Sequence, residues 1–195
     1  MGGDETMQGA QPRDTRLTYD DFLLFPDDGR RHELIDGEHY VTPSPNTRHQ
    51  RLVGRLHFAF SLYLAEHPEA GEAFLAPFDV VFTDFDVVEP DVLFVAGDQA
   101  DIVTDKHVRG APAIVVEVLS PGTRRVDEKI KYRLFERTGV REYWLVDPEL
   151  DLVKVFRRAA DGSFPRVAEL AADASGTLTT PLLPGFALPL VAFFR

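Results

Sequence analysis

Ile114-Val115-Val116-Glu117-Val118-Leu119 is the stretch on which the fold turns. Apolar residues on both sides of the pleat describe a strand covered on both faces, as the central strands of a sheet are. Glu117 interrupts that run. A carboxylate buried without a partner costs several kcal/mol, so this one must be paired, protonated or bound to a cation. The helix expected next, over about 126–138, closes at Gly139, where a left-handed cap is easy for glycine. At about 100° per residue, Lys131 falls between the core-facing Leu134 and Phe135, whereas Lys129 falls between Arg133 and Glu136. Lys131 therefore points inward, one connection from the buried Glu117, and Lys129 reads as a solvated charge.

Working outward, strand-like runs rich in β-branched and aromatic residues occur at 76–82, 91–95, 113–119, 142–146 and 152–156. Asp91 follows Pro90 at the mouth of the second run, where a carboxylate can lean toward a neighbouring strand. Nearer the N-terminus, Asp36-Gly37 separates Glu33-Leu34-Ile35 from His39-Tyr40-Val41 and predicts a tight β-hairpin. Thr18 is placed to cap a short helix whose first turn holds Asp20 and Asp21. Pro43 and Pro45 end the hairpin. Ser44 or Asn46 then caps a helix from His49 to about Glu66, with Leu52, Val53, Leu56, Phe60, Tyr63 and Leu64 on one stripe. His49 lies on that stripe, and Arg48, Arg51 and Arg55 lie off it. Residues 177–194 read as one or two closing strands around Pro184-Gly185. The expected class is α/β (α+β), a mixed β-sheet flanked by helices with an N-terminal β-hairpin.

A length of 195 residues suits one domain, here 17–195, after a loose polar tail over 1–16. Hydrophobic residues at 44%, with 15 Phe, exclude wholesale disorder. With no Cys there is neither a disulfide framework nor a thiolate zinc site, which points to a reducing cytoplasm. The six His show no zinc-finger or zinc-helix spacing. No run approaches the ~18 apolar residues of a membrane span, so no membrane partner is expected. The net charge of −11 argues against bulk attraction to nucleic acid. Residues 120–141 are the exception, carrying +4. Arg124 and Arg125 lead that segment and are the candidate contacts to a phosphate-bearing partner, DNA.

Two carboxylates and an ammonium converging at strand and helix ends form a hard-cation site. Oxygen ligands suit Mg²⁺ or Mn²⁺, and a substrate phosphate completes the shell. The chemistry such a site supports is metal-assisted hydrolysis. At these residues the chain resembles the PD-(D/E)xK nuclease superfamily: Pro90-Asp91, then Glu117-Val118-Leu119 with the usual Lys position vacated at Leu119. The fuller pattern resembles its Uma-two-type restriction endonuclease branch. The matching pieces are Glu33-Leu34-Ile35-Asp36-Gly37-Glu38, Pro43-Ser44-Pro45 with His49, Val116 to Pro121, Asp127 followed by Lys131, Gly139 to Pro148, and Leu183-Pro184-Gly185.

The resemblance implies a restriction-endonuclease-like fold with a divalent-metal site. Asp91 and Glu117 match the metal-binding acidic pair, the backbone carbonyl of Val118 a third ligand, and Lys131 the migrated catalytic Lys. Glu33 matches the family's early Glu, as an added ligand or a water holder; as a hairpin residue it reads equally as a surface charge. His49 either touches the site or is a satisfied core histidine. Tyr143-Trp144 marks the family and reads as core packing rather than base stacking.

The leading expectation is a divalent-metal-dependent endonuclease acting on DNA, with a homodimer as one way to set two basic segments side by side. A catalytically silent nucleic-acid or protein interaction module on the same fold is the alternative, which the net charge favours. A paired-carboxylate hydrolase such as a glycosidase gives Lys131 no place.

Overall fold

A computed structural model describes residues 16–173 and 175–195. The tail expected over 1–16 lies, apart from Arg16, outside the described residues. Helix α1 (Tyr19–Phe22) begins with the expected cap: the Thr18 hydroxyl accepts from the Asp21 amide, and the Asp21 carboxylate accepts from the Thr18 amide. Strands β1 (Arg31–Ile35) and β2 (Glu38–Thr42) form the hairpin. Its turn needs two left-handed residues, and Asp36 and Gly37 adopt φ of 53° and 76°. A Cβ on Gly37 would also collide with Arg16.

Asn46 caps α2 (Thr47–Glu66) by accepting from the His49 amide. Then follow β3 (Gly71–Leu75), β4 (Val80–Thr83), β5 (Asp86–Val88), β6 (Val92–Ala96), β7 (Val108–Arg109) and β8 (Ile114–Val118). The expected helix forms in two continuous parts, a π-helical segment (Val126–Lys131) running into α3 (Tyr132–Thr138). Gly139 closes it at φ 95°. Strands β9 (Glu142–Asp147), β10 (Leu152–Arg157), β11 (Arg166–Ala171), β12 (Thr177–Thr179) and β13 (Ala187–Pro189) lead to α4 (Leu190–Phe194).

Six strands form one mixed sheet in the order β11-β10-β9-β8-β6-β3, with β8 and β9 parallel. Five form a second, β2-β1-β5-β4-β7, and β12-β13 a small third. On one face of the large sheet pack α2, α4 and the β12-β13 hairpin, around Phe60, Phe94, Val116, Trp144 and Phe193. On the other pack the helix over 126–138 and the second sheet, around Val115, Leu119, Phe135 and Tyr143. Sandwiched so, β8 is buried at every residue, as its doubly apolar pattern requires. Tyr143 and Trp144 are both fully buried core residues, and the Trp144 indole donates to Glu142.

Three expectations are corrected. The run over 76–82 is not one strand: β3 ends at Leu75 and β4 begins at Val80, with Pro77, which has no amide to donate to a ladder, between them. The chain does not end as a strand: after β13 it turns into α4, where Leu190, Phe193 and Phe194 sit at helical spacing and are buried. The helix over 126–138 is not α-helical throughout, because its first half takes the wider π turn.

Candidate active site

Sheet register brings the first two side chains together. The antiparallel pairing Val92↔Val116 continues one step to set Asp91 across from Glu117. Strand alternation turns both toward the face of Leu93 and Val115, against the helix over 126–138. Strand β1 adds Arg31 and Glu33 from its alternate positions, while Leu34, the next residue along, faces α1. Asp127 and Lys131, four apart on the helix, share its inner face. His49 enters from the first turn of α2.

The Lys131 ammonium is the hub. It lies 2.7 Å from Glu33, 2.8 Å from Glu117 and 3.8 Å from Asp127, and all four side chains are at most 4% exposed. Asp91 is held from three sides. Its Oδ2 accepts from the Val118 amide at 2.8 Å and faces His49 Nε2 at 3.0 Å, and its Oδ1 meets Arg31 at 2.8 Å. Glu33 Oε1 accepts both from Lys131 and from the Glu89 amide.

Four carboxylates, with Glu89 a fifth at 3.9 Å from Arg31, thus stand against two permanent cations, and their proton affinities record that imbalance. Burial, with Asp91, Asp127 and Glu33 adding repulsion, pushes the Glu117 carboxyl well above its usual range despite Lys131. Burial also pushes Asp127 up, to about 6. Burial works against Asp91 too, but the hydrogen bond from His49, the Arg31 charge and the Val118 amide hold that carboxyl low. Burial disfavours the Lys131 ammonium, and Glu117, Glu33 and Asp127 together more than reverse this, so it stays charged.

Arg31, His49, Asp91, Glu117, Asp127 and Lys131 line a cavity of about 210 Å³ whose rim is built by residues 42–46 and 120–123, and Glu33 lies behind Lys131. Both rim segments are rich in Pro, Ser and Thr, which set turns without long side chains. The cavity is large enough for a phosphate group with its waters.

Of the site residues expected from sequence, Asp91, Glu117, Lys131, Val118, Glu33 and His49 come together here. Glu33 is not a surface charge: it is 1% exposed and its carboxylate meets Lys131. Arg124 and Arg125 stand elsewhere. Arg124 is engaged by Asp147 at 2.7 Å and Glu149 at 2.9 Å, with Glu128 at 3.8 Å, and Arg125 is exposed on the outer side of the helix. Two members have no role in the sequence reading, Asp127 being named only within the family pattern and Arg31 not at all. Asp127 had a signal, its four-residue spacing to the inward Lys131, and Arg31 had one in its two-residue spacing to Glu33.

The family model described as "Uma2: Putative restriction endonuclease" matches residues 19–191. No curated protein matches the chain. Among solved structures the chain is similar to one described as a putative nuclease belonging to DUF820 from Anabaena variabilis ATCC 29413. The two superpose with a TM-score of 0.75 over 91% of this chain and 97% of that one, at 19% identity, which shows a shared fold of mixed sheets flanked by helices.

Proposed function

The chain belongs to the Uma2 family of putative restriction endonucleases, and from that premise we propose that it is a divalent-metal-dependent endonuclease that hydrolyses phosphodiester bonds in DNA. The observation that carries the reading is Lys131, an ammonium buried among Glu33, Glu117 and Asp127 at the foot of an open polar cavity. An ion pair kept only for stability gains little when buried. One that faces a phosphate-sized cavity has chemistry to do.

The donor set fits a hard dication. Among the described residues no group of three or more His, Asp or Glu side chains forms a ready cage, and Mg²⁺ characteristically takes one or two carboxylates with waters and substrate phosphate. The two carboxyls pushed up by burial and mutual repulsion, Glu117 and Asp127, mark a site with more negative charge than its cations balance. Asp91, Glu117 and the Val118 carbonyl would hold Mg²⁺ or Mn²⁺, which supplies a water of lowered pKa and polarises the phosphorus–oxygen bond. The chain's own groups do the rest. Lys131 orients the attacking water and offsets the charge developing on the phosphate. His49 and Arg31 fix the Asp91 carboxylate, and Glu33 fixes Lys131.

Nicking of supercoiled plasmid at low salt with Mn²⁺ or Mg²⁺ tests this. Wild-type chain is expected to nick, and Glu117→Ala and Lys131→Ala to lose nicking. Cleavage retained by Glu117→Ala in a nuclease-free preparation would sink the assignment. An absence of nicking with any ion would favour the silent interaction module, the reading the net charge of −11 supports. The homodimer expected from the sequence stays part of this proposal, and a dimer mass in light scattering is its check.

A further inference from the structure

Positions 125, 129, 133 and 137 follow one another at four-residue steps along the helix that carries Asp127 and Lys131, and all four are basic and exposed. Residues four apart stand one above the other on a helix, so these side chains form a single ridge. Arg137 at its far end is spent on Asp86 at 2.6 Å and Asp36 at 3.0 Å. Arg125, Lys129 and Arg133 have no ion pair among the described residues. In a chain of net charge −11, three cations without an ion pair among the described residues, set at successive four-residue steps on one helix face, form a local positive ridge.

The ridge borders a groove. About 390 Å³ of open space lies between it and the β1-β2 hairpin, floored by Ile35, Ile130 and Leu134. The opposite wall offsets the ridge only in part: Asp36 is taken by Arg137, and Glu38, which accepts from the Tyr40 hydroxyl at 2.8 Å, is one carboxylate set against three cations. The groove and the active-site cavity adjoin along one seam between hairpin and helix, since neighbouring residues of both elements line them. On β2, Tyr40 lines the groove and Thr42, two residues on and on the same strand face, lines the cavity. On the helix, Arg125 lines the groove while Thr123 and Asp127 line the cavity. From Glu38 to Thr42 the seam runs about 13 Å at strand rise, close to four base steps of a B-form strand.

We propose that this seam carries the phosphodiester backbone of the DNA strand flanking the cleaved bond, with Arg125, Lys129 and Arg133 contacting successive phosphates. The proposal rests on the DNA reading of the active site. It replaces Arg124 with Lys129 and Arg133 as the partners of Arg125, since Arg124 is held by Asp147 and Glu149. It leaves the scissile phosphate in the cavity beside Lys131 and draws the chain of phosphates away over a positive wall.

The test measures binding of a labelled DNA duplex, and of its labelled single strand, by anisotropy across a salt series. The parent protein is Glu117→Gln, so that cleavage does not intervene. Adding Arg125→Ala, Lys129→Ala and Arg133→Ala leaves three phosphates without a protein cation. It is expected to flatten the slope of log affinity against log salt by about 2.7 on duplex or about 2.1 on single strand. Between about 50 and 200 mM salt the parent should then lose about fortyfold more duplex affinity than the triple variant. A second variant, Lys106→Ala with Arg109→Ala, removes exposed charge at β7, the edge of the five-stranded sheet opposite β2, and is expected to keep the parent slope. An unchanged slope in the triple variant, with the parent binding, overturns the ridge and leaves the DNA reading standing. Equal flattening by the β7 variant overturns it in favour of bulk charge. A parent that binds neither probe overturns both readings.

Discussion

Lys131→Met and Glu117→Gln should both abolish cleavage yet move stability in different directions, and this separates the chemistry of the site from its role in holding the fold. The Lys131 ammonium has carboxylate oxygens at 2.7, 2.8 and 3.8 Å. At an effective dielectric of about 20, each contact is worth roughly 4–6 kcal/mol before desolvation. Desolvation of four buried groups offsets most of that, and removing one partner of such a buried set costs about 3–5 kcal/mol because the others are left uncompensated. For a chain of this size each kcal/mol moves Tm by about 2–4 °C, so Lys131→Met should melt roughly 6–20 °C below wild type. Glu117→Gln removes one of the carboxylates that face two permanent cations and keeps an oxygen to accept from Lys131. Its Tm in EDTA should equal or exceed that of wild type. Thermal unfolding followed by circular dichroism in EDTA reads both. A Lys131→Met shift under about 3 °C, or a Glu117→Gln loss as large as that of Lys131→Met, would refute the charge accounting of the site.

Two further outcomes follow from the same structure. Mn²⁺ at about one hundred times its Kd should stabilise the wild-type chain by about 2.7 kcal/mol and leave Glu117→Gln nearly unmoved, a comparison differential scanning calorimetry makes directly. Arg124→Ala should lower stability near pH 7 by about 1.5–3 kcal/mol, the worth of a hydrogen bond to a charged group. Burial alone would raise the Asp147 carboxyl, but hydrogen bonds from Arg124 and from the Glu149 and Leu150 amides hold it below its ordinary value. A depressed carboxyl stabilises above its unfolded pKa and ceases to do so as pH falls through the folded value. The gap between wild type and Arg124→Ala in urea unfolding should therefore close as pH drops below about 4, and a constant gap would contradict the assignment.

The parts of the fold legible in the sequence are those where local chemistry and tertiary burial agree. The double-faced apolar run of β8, the Asp36-Gly37 turn, the Thr18 and Asn46 caps and the stripe of α2 each carry their own signal, and each forms where expected. The edge elements do not. Strand β11 reads Arg-Val-Ala-Glu-Leu-Ala, a composition with as much helical as strand tendency, and becomes a strand by pairing with β10. Strand β3 opens at Gly71 and pairs with β6 over its full length, which no local preference announces. Helix α4 is five residues long, too short to be stable alone, and exists because Leu190, Phe193 and Phe194 bury against the core that α2 shares.

The site is legible to the same extent and for the same reason. Glu117 and Lys131 contradict their surroundings, a carboxylate in an apolar strand and an ammonium on a core-facing helix stripe, so the sequence flags them. Arg31 and Asp127 contradict nothing locally, and only the meeting of β1, β6, β8 and the helix makes them part of the cluster. The basic segment reads along the chain as a block, with Arg124 and Arg125 at its head. In the folded helix those neighbours point about 100° apart. Arg124 turns to Asp147, and Arg125 joins Lys129 and Arg133 on the ridge. Helical period, rather than charge density along the chain, decides which cations can meet a phosphate backbone. An acidic chain can therefore present a positive track to DNA if its basic residues recur every fourth position on one exposed face while its carboxylates are occupied elsewhere.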